Sequence, residues 1–279
     1  GYRSTAIGTA ASAQGDYSIA MGYGNASGMH SFAMGLYTSA SGDYSTAIGT
    51  AASASGEYST AMGIETLASG EYSTAMGLYT SASGTASTAM GSGSEASGDY
   101  STAMGNSTAG GYGSFAVGGG VAGGEYSIAM GYSSAVGVHS FAVGGGNAAI
   151  GDYSISFGGD TTYAYGDYSL AVGWESIAEG DFSFAFGASF ANGDYSTAMG
   201  YASSANGDYS NATGHRTIAS DYLSNVIGQY NLTGATPTSA TNFSLDAPAF
   251  VIGNGLDGNN RSDAFSILFD GTTNIAGSV

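Results

Sequence analysis

The sequence predicts an all-β solenoid, in which the chain winds through stacked coils of about 14 residues. Three observations support this prediction: a short motif recurs at a nearly fixed period, glycine is far above its usual share, and no segment has the length and apolar periodicity of a helix. Because a coil this short cannot bury its own core, each coil must stack on its neighbours.

The repeated motif is clearest between residues 42 and 105. Gly-Asp-Tyr-Ser-Thr-Ala-Ile-Gly at 42–49 returns as Gly-Glu-Tyr-Ser-Thr-Ala-Met-Gly at 56–63 and 70–77, and with Asp again at 98–105. The Ser of each Ser-x-Ala-x-Gly core marks one of about 17 units, at spacings of about 13 to 15 residues. These markers are Ser4, Ser18, Ser31, Ser45, Ser59, Ser73, Ser87, Ser101, Ser114, Ser127, Ser140, Ser154, Ser169, Ser183, Ser196, Ser210 and Ser224.

Each unit divides into two segments of about five residues, which suit two short strands per coil rather than a helix. Side chains alternate along a strand, so Ser59 and Ala61 must point to one side, and Thr60 and Met62 to the other. The first side carries only small side chains, which predicts a thin core. The second side predicts an apolar stripe that needs a partner chain. Its predicted members are Met21, Met34, Ile48, Met62, Val117, Phe157 and Phe186.

The composition fits a repeat fold that relies on backbone pairing. Of 279 residues 49 are glycine, against a usual share of roughly 7%. These glycines have no collagen period of three, and the presence of only 2 prolines excludes both collagen and a proline-rich linker. Cysteine is absent, which excludes a disulfide framework, a thiolate metal site and a cysteine nucleophile.

The chain is strongly acidic, with 3 Lys and Arg residues against 21 Asp and Glu residues and a formal net charge of -18. Nucleic acids and anionic lipids bind basic surfaces, so neither is expected as a partner. No apolar run approaches the ~20 residues of a membrane span, so we expect no membrane insertion in this segment. Residues 1–8 already lie inside a repeat without an initiating Met, so we expect a processed or cut N-terminus.

The units Tyr17-Ser18-Ile19-Ala20-Met21-Gly22 and Tyr44-Ser45-Thr46-Ala47-Ile48-Gly49 are each followed by a small-residue turn and Ala-x-Gly. They resemble the head repeat of YadA-like trimeric autotransporter adhesins, which also occurs in tail fibres of some phages. The resemblance covers roughly residues 1–228. It implies a left-handed parallel β-roll, three chains packed side by side in one head, and a role in attachment at a cell or virion surface.

The composition changes after Gly228, so we expect two domains: a repeat β-roll head at 1–228 and a C-terminal β connector or cap at 229–279. Residues 232–237 are predicted to form an irregular crossing. Asp270-Gly271 lies between Ser266–Phe269 and Thr272–Ile275 and predicts a hairpin. The heptads and amphipathic strand series that follow heads in the adhesins are not found here. The tail is similar to segments that follow β-roll heads in phage fibres, which favours a phage fibre with the roll as a rigid spacer as the alternative.

Enzymatic activity is not expected. The serines are parts of the repeat, and only His30, His139 and His215 could serve as bases. His30 and His139 occupy the position that Tyr holds in other units, so we expect them to stack in its place; the alternative is a ring around a threefold axis that holds a metal or anion. A glycan-degrading β-solenoid enzyme is the distant alternative, but a repeated column of acids offers no unique carboxylate pair.

Carboxylates precede the aromatic residue in most units and form an acidic column. Its members are Asp16, Asp43, Glu57, Glu71, Asp99, Glu125, Asp152, Asp167, Asp181, Asp194 and Asp208. Such a column predicts a solvated edge, in which neighbouring carboxylates repel by about 1 kcal/mol in bulk water. The alternative is a set of oxygen-lined sites for Ca²⁺ or other cations, with Asp43, Glu57, Glu71 and Asp99 as candidate ligands. No other cofactor is expected.

Aromatic residues occur in two places in the repeat. The column that follows the acids is expected to stack along the coils or to seal chain interfaces. A second position, directly after the core glycine, varies from unit to unit, and we call its members the post-glycine slots: Tyr23, Leu36, Ile64, Leu78, Tyr132, Trp174, Tyr201 and His215. Variable residues on a regular scaffold favour recognition, with corner packing as the alternative. Tyr132, Trp174 and Tyr201 are therefore the candidate ligand-binding residues.

These patterns together predict an extracellular homotrimeric fibre or adhesin head segment. Its expected function is to project an attachment surface towards a glycan or protein receptor on a host cell or another surface.

Overall fold

A computed structural model of the chain describes residues 1–233 and 239–276, which form strands and turns without a helix. The chain divides into two compact units, Gly1–Ala135 and Val136–Val279. Each unit is a parallel β-solenoid, so the predicted fold class is confirmed. Of the crossing predicted at 232–237, residues 234–237 lie outside the described residues.

The first unit consists of ten coils, each with one strand in either of two parallel sheets. Its strands are β1 (Thr5–Ile7), β2 (Ser12–Ala13), β3 (Ile19–Gly22), β4 (Asn25–Ala26), β5 (Phe32–Leu36), β6 (Ser39–Ala40), β7 (Thr46–Thr50), β8 (Ser53–Ala54), β9 (Thr60–Ile64), β10 (Leu67–Ala68), β11 (Thr74–Leu78), β12 (Ser81–Ala82), β13 (Thr88–Ser92), β14 (Glu95–Ala96), β15 (Thr102–Met104), β16 (Thr108–Ala109), β17 (Phe115–Val117), β18 (Val121–Ala122), β19 (Ile128–Met130) and β20 (Ser134–Ala135). The odd-numbered strands form one sheet and the even-numbered strands the other.

The second unit repeats this arrangement and adds a tail. Its strands are β21 (Phe141–Gly144), β22 (Ala148–Ala149), β23 (Ile155–Gly158), β24 (Tyr163–Ala164), β25 (Leu170–Gly173), β26 (Ile177–Ala178), β27 (Phe184–Phe186), β28 (Phe190–Ala191), β29 (Thr197–Tyr201), β30 (Ser204–Ala205), β31 (Asn211–His215), β32 (Ile218–Ala219), β33 (Asn225–Gln229), β34 (Pro248–Asn254), β35 (Asp263–Leu268) and β36 (Thr273–Ile275). Strands β21 to β33 alternate between two parallel sheets as before, and β34 to β36 extend the odd-numbered sheet.

Successive coils stack in register because the motif repeats. In β9 and β11, Ala61 lies beside Ala75 and Met62 beside Met76. Ser59 and Ala61 are fully buried, whereas Met62 is 36% exposed, which confirms the predicted faces of the strand. The core inside each coil is therefore built mainly from Ala, Ser and Thr, and close backbone stacking replaces large side chains as the source of packing.

Two glycine columns permit this close approach. A Cβ added to Gly56 would overlap the carbonyl oxygen of Gly70, and one added to Gly63 would overlap that of Gly77. Gly63 also has a φ of 134°, a conformation that residues with side chains rarely adopt. The high glycine content is thus a requirement of coil-on-coil contact.

The tail begins by continuing the repeat. Strand β34 pairs in parallel with β33, with Val251 beside Val226 and Gly253 beside Gly228. Residues 249–253, Ala-Phe-Val-Ile-Gly, thus occupy the place of another Ser-x-Ala-x-Gly core, which is not among the units predicted from the sequence. The predicted Asp270-Gly271 hairpin is confirmed, because β35 and β36 are antiparallel and Gly271 has a φ of 88°. No helix of membrane-spanning length and hydropathy occurs within residues 1–233 or 239–276.

Candidate functional site

The first corner of each coil holds the aromatic residue of the motif. Tyr58, for example, has a φ of 55°, and 43% of its surface is exposed. In the first unit neighbouring rings lie 4.9 to 5.0 Å apart, with planes within 10° of parallel. This aromatic ladder consists of Tyr17, His30, Tyr44, Tyr58 and Tyr72. His30 thus stacks where Tyr stands in other coils, as predicted.

The second unit has an equivalent ladder, formed by His139, Tyr153, Tyr168, Phe182, Tyr195 and Tyr209. Phe182 lies 4.8 Å from the rings on either side, so a hydroxyl is not needed for the stack. Desolvation raises the pKa of the Tyr209 hydroxyl, and the neighbouring Tyr195 raises it further. The rings of both ladders thus stack along the coils, which is one of the two arrangements that the sequence predicts.

The aspartates of the acidic column bind the backbone of the preceding coil. Oδ1 of Asp43 accepts a hydrogen bond from the N–H of Met29 at 2.7 Å, and Oδ1 of Asp99 accepts one from Thr85 at 2.7 Å. In the second unit Oδ1 of Asp152 accepts from the N–H of Val138 at 2.8 Å, and each later aspartate of the column accepts from the N–H of the aspartate one coil earlier, at 2.8 to 3.0 Å. This ladder joins Asp152, Asp167, Asp181, Asp194 and Asp208. These bonds tie each of these aspartates to the backbone of the coil before it, so this part of the acidic column links neighbouring coils.

The candidate metal ligands do not form one compact group. Asp43, Glu57 and Glu71 lie in three successive coils, but the next coil carries Thr85 at this position before Asp99. In the part of the chain that the structure describes, no group of three or more His, Asp or Glu side chains is arranged to hold a metal ion. Binding of cations along the acidic column stays a prediction.

The post-glycine slots lie at the second corner of each coil, and the three predicted ligand-binding aromatics are exposed. Tyr132, in the first unit, is 76% exposed, although its ring lies against the backbone of Gly119. In the second unit Trp174 is 59% exposed and lies against Gly159. Each residue therefore packs against a glycine of the preceding coil and still presents most of its surface to solvent.

Tyr201 belongs to a larger cluster in the second unit, which we call the Arg216 patch: Tyr201, His215, Arg216, Tyr230 and Arg261. The ring of His215 stacks on Tyr201 at 5.5 Å and meets Tyr230 edge-on at 4.9 Å. The Arg216 guanidinium lies 5.9 Å from the centroids of both tyrosines, and that of Arg261 lies 5.7 Å from Tyr230. Tyr201 and His215 are post-glycine slots that the repeat pattern predicts, whereas neither arginine is among the candidate site residues predicted from the sequence.

A cavity of about 280 Å³ lies in the second unit between the last coils and the tail. Val226, Val251 and Leu268 contribute its apolar walls, and Asp221 and Asp263 contribute carboxylates. Desolvation raises the pKa of Asp263, although a hydrogen bond from the N–H of Leu232 opposes this shift.

The repeat matches the model of a known protein family. The family described as the YadA head domain repeat, with 2 copies in each match, covers seven segments and about two thirds of the chain. The segments are 1–25, 26–52, 54–80, 82–108, 135–161, 164–189 and 191–217. The chain belongs to the YadA head domain family. No curated protein is similar enough in sequence to count as a match.

YadA heads are structural adhesin domains found at surfaces, and the family is not a family of enzymes. Each matched segment of this YadA head spans two coils, as the 2 copies require. The unmatched residues 109–134 include an altered coil, in which Tyr112 stands in the acidic position and Gly113 in the aromatic position. There Tyr112 meets Tyr100 edge-on at 5.4 Å and does not stack.

The apolar stripe of this YadA head faces outwards in both units. Met34 and Met62 are 37% and 36% exposed in the first unit, and Phe157 and Phe186 are 53% and 50% exposed in the second. The other predicted members, Met21, Ile48 and Val117, are half-buried. In-register stacking thus turns a single apolar position of the motif into a continuous row within each unit.

Proposed function

We propose that the chain is the head segment of a homotrimeric extracellular fibre, which projects and presents an attachment surface. The observation that supports this proposal most strongly is the apolar stripe. A soluble single chain rarely leaves a contiguous apolar row of this kind in water. A second and a third copy of the same chain carry the same apolar row. In a trimer with closed symmetry the three rows pack against one another, so that none is left in water.

The arrangement of the core points the same way. Each coil buries little more than Ala, Ser and Thr, so the interior of one chain leaves the outward Met, Ile and Phe side chains partly exposed to water. Packing these side chains between chains would add a second apolar core. YadA-like heads are trimeric adhesins, which supports three copies as the number.

In this proposal the repeat head at 1–228 carries the surface, and residues 229–279 act as a connector or cap. Attachment to a host-cell glycan or protein receptor would involve Tyr132, Trp174 and Tyr201, because exposed aromatics offer a large contact area at low entropic cost. The acidic column would face a cation-rich medium at the surface of a cell or a virion.

A rigid spacer in a phage-type fibre is the second candidate function. It is favoured by the tail, in which β34 extends the solenoid sheet and β35 and β36 form a hairpin on it. In that case the tail or another part of the fibre would bind the receptor.

Two triple variants separate these functions. Changing Tyr132, Trp174 and Tyr201 to Ser should leave the β circular dichroism and the oligomeric mass intact while it reduces binding to the native cell surface. The matched control changes three exposed apolar residues of the tail, Leu245, Leu256 and Ile275, to Ser. Binding that survives the first change and is lost with the second would contradict a role of the head in attachment and favour the spacer.

A further inference from the structure

The Arg216 patch is a cationic site on an acidic molecule. The chain has only three Lys or Arg residues, namely Arg3, Arg216 and Arg261, against 21 acidic residues. Two of these three arginines meet at the ring of Tyr230, although 45 residues separate them in sequence. Such a concentration of the scarce positive charge requires an explanation beyond solubility.

The two arginines are held in place by neutral groups. Nη1 of Arg261 donates to the carbonyl oxygens of Arg216 and Asn231, at 3.2 and 3.1 Å. Arg216 projects from a backbone turn with a φ of 54° and is exposed. Among residues 1–233 and 239–276 no carboxylate lies within ion-pair distance of either guanidinium. A guanidinium has five N–H donors; the Arg216 guanidinium has no hydrogen-bond acceptor among the described residues and Arg261 uses only Nη1, so both keep donors for a ligand.

The aromatic members of the patch provide the second half of a binding surface. Tyr201 is 54% exposed, and His215 and Tyr230 are half-buried beside it. Flat aromatic faces suit the C–H faces of sugar rings, whereas the planar fork of an arginine suits a carboxylate in bidentate geometry. Together these groups match a sugar that carries a carboxylate.

We propose that the Arg216 patch binds a carboxylated sugar at the end of a glycan chain. The net charge of -18 limits the ligand further. A long polyanion would extend over the surrounding acidic surface and be repelled, whereas the field of those acids falls off within ~8 Å at physiological salt. A single terminal anionic sugar therefore gains the attraction of the two arginines and avoids most of the repulsion.

This inference rests on the proposed attachment function and names the ligand class for one part of its surface. It is tested by titrating the full chain with 3′-sialyllactose, with lactose as the neutral control, and with a heparin hexasaccharide as the sulfated polyanion. We expect binding of 3′-sialyllactose that weakens with added NaCl, and at least about tenfold weaker binding of lactose and of heparin. Equal binding of lactose, tighter binding of heparin, or no binding of 3′-sialyllactose at millimolar concentration would overturn the proposal.

The chain offers a matched control for the arginine. Arg3 also lies over a tyrosine ring, 5.2 Å from the centroid of Tyr2, and has the same φ of 54° as Arg216. R216Q should weaken binding of 3′-sialyllactose about tenfold or more, and R3Q should leave it unchanged. Equal effects of the two variants would overturn the proposal, since they would report only net charge.

A cell-binding assay distinguishes failure of this inference from failure of the proposed function. Cells are treated with a glycosidase that removes terminal carboxylated sugars. Loss of attachment supports the ligand class. Attachment that persists overturns the assignment of the patch and leaves the attachment function standing, whereas absence of attachment to untreated cells would contradict both.

Discussion

At the scale of single residues, this solenoid depends on positions that have no room for a side chain. The two glycine columns exclude a Cβ, because the next coil places a carbonyl oxygen in that space. The aspartates of the acidic column stabilise the stack by a group that they add, since their carboxylates accept a hydrogen bond from an N–H of the coil before them. At turn positions with positive φ, such as Tyr58, the backbone is strained, and the ring of the residue stacks on the rings of neighbouring coils.

A pair of adjacent glycines tests the steric argument. Gly144 has a φ of 136°, and its added Cβ would overlap the carbonyl oxygen of Gly158, whereas a Cβ on Gly145 would meet nothing within 4 Å. Gly144→Ala should therefore lower the free energy of unfolding by about 3 kcal/mol or more, and Gly145→Ala should change it by less than about 1 kcal/mol. Denaturant unfolding at one fixed protein concentration measures both. Similar effects of the two variants would show that close coil contact is not the reason for the glycines.

At the scale of elements, the period of the motif was enough to predict two strands per coil and their register. It was not enough to find β34, because Ala249 replaces the marker Ser and the intervening chain breaks the period. The acceptor bonds of the aspartates depend on the geometry of the corner, which composition does not reveal. The Arg216 patch could not be predicted from the repeat, because Arg261 belongs to the tail and is 45 residues from Arg216 in sequence.

The tail contains two aspartates whose pKa values shift in opposite directions. Desolvation raises the pKa of Asp263, so ionisation destabilises the folded state as pH rises through the window between the unfolded and the folded pKa. Hydrogen bonds from Thr272 lower the pKa of Asp270, so its stabilising effect is present at neutral pH and is lost as pH falls through the folded pKa.

Replacing each aspartate by Asn should change the melting temperature in opposite directions. D263N should melt at a higher temperature than the wild type at pH 7, because Asn keeps an acceptor for the N–H of Leu232 and removes the costly charge. D270N should melt at a lower temperature at pH 7. At about pH 3, below the ordinary Asp pKa of about 3.9, the D263N difference should have nearly vanished, whereas the D270N difference should be smaller than at pH 7 and vanish only below the lowered pKa of folded Asp270. Melting curves at the two pH values decide the matter, and a shift of the same sign in both variants would contradict the account.

At the scale of the whole molecule, charge and apolar surface act in opposite ways. The formal charge of -18 keeps chains apart, whereas the apolar stripe of each unit favours their association. A homotrimer must therefore bury enough apolar surface to outweigh the repulsion among its acidic columns. This balance makes the stability of the assembly sensitive to the ions in solution.

Added cations should stabilise the protein. Raising NaCl from 10 to about 500 mM shortens the screening length and should raise the melting temperature, since it weakens repulsion along the acidic column. CaCl₂ at the same ionic strength separates screening from binding, because a further rise with Ca²⁺ that a chelator reverses would indicate bound cations. A melting temperature that is the same in low salt, high salt and chelator would leave the column as a solvated edge.

The central claim, that identical chains cover one another's apolar stripe, also predicts the effect of a surface variant. Met62→Asp combined with Met76→Asp places two charges in the stripe of the first unit and should dissociate the assembly. The matched control, Tyr37→Asp with Tyr79→Asp, changes two residues of the same unit that are 70% and 57% exposed and lie outside the stripe. It should leave the assembly intact, because charge alone is not expected to dissociate the chains.

Light scattering of the wild-type chain at micromolar concentration tests this claim most directly. We expect a mass about three times the 27.5 kDa of one chain, together with a β-rich circular dichroism spectrum. A stable, folded monomer at that concentration would contradict it, since the stripe would then be exposed to water without cost.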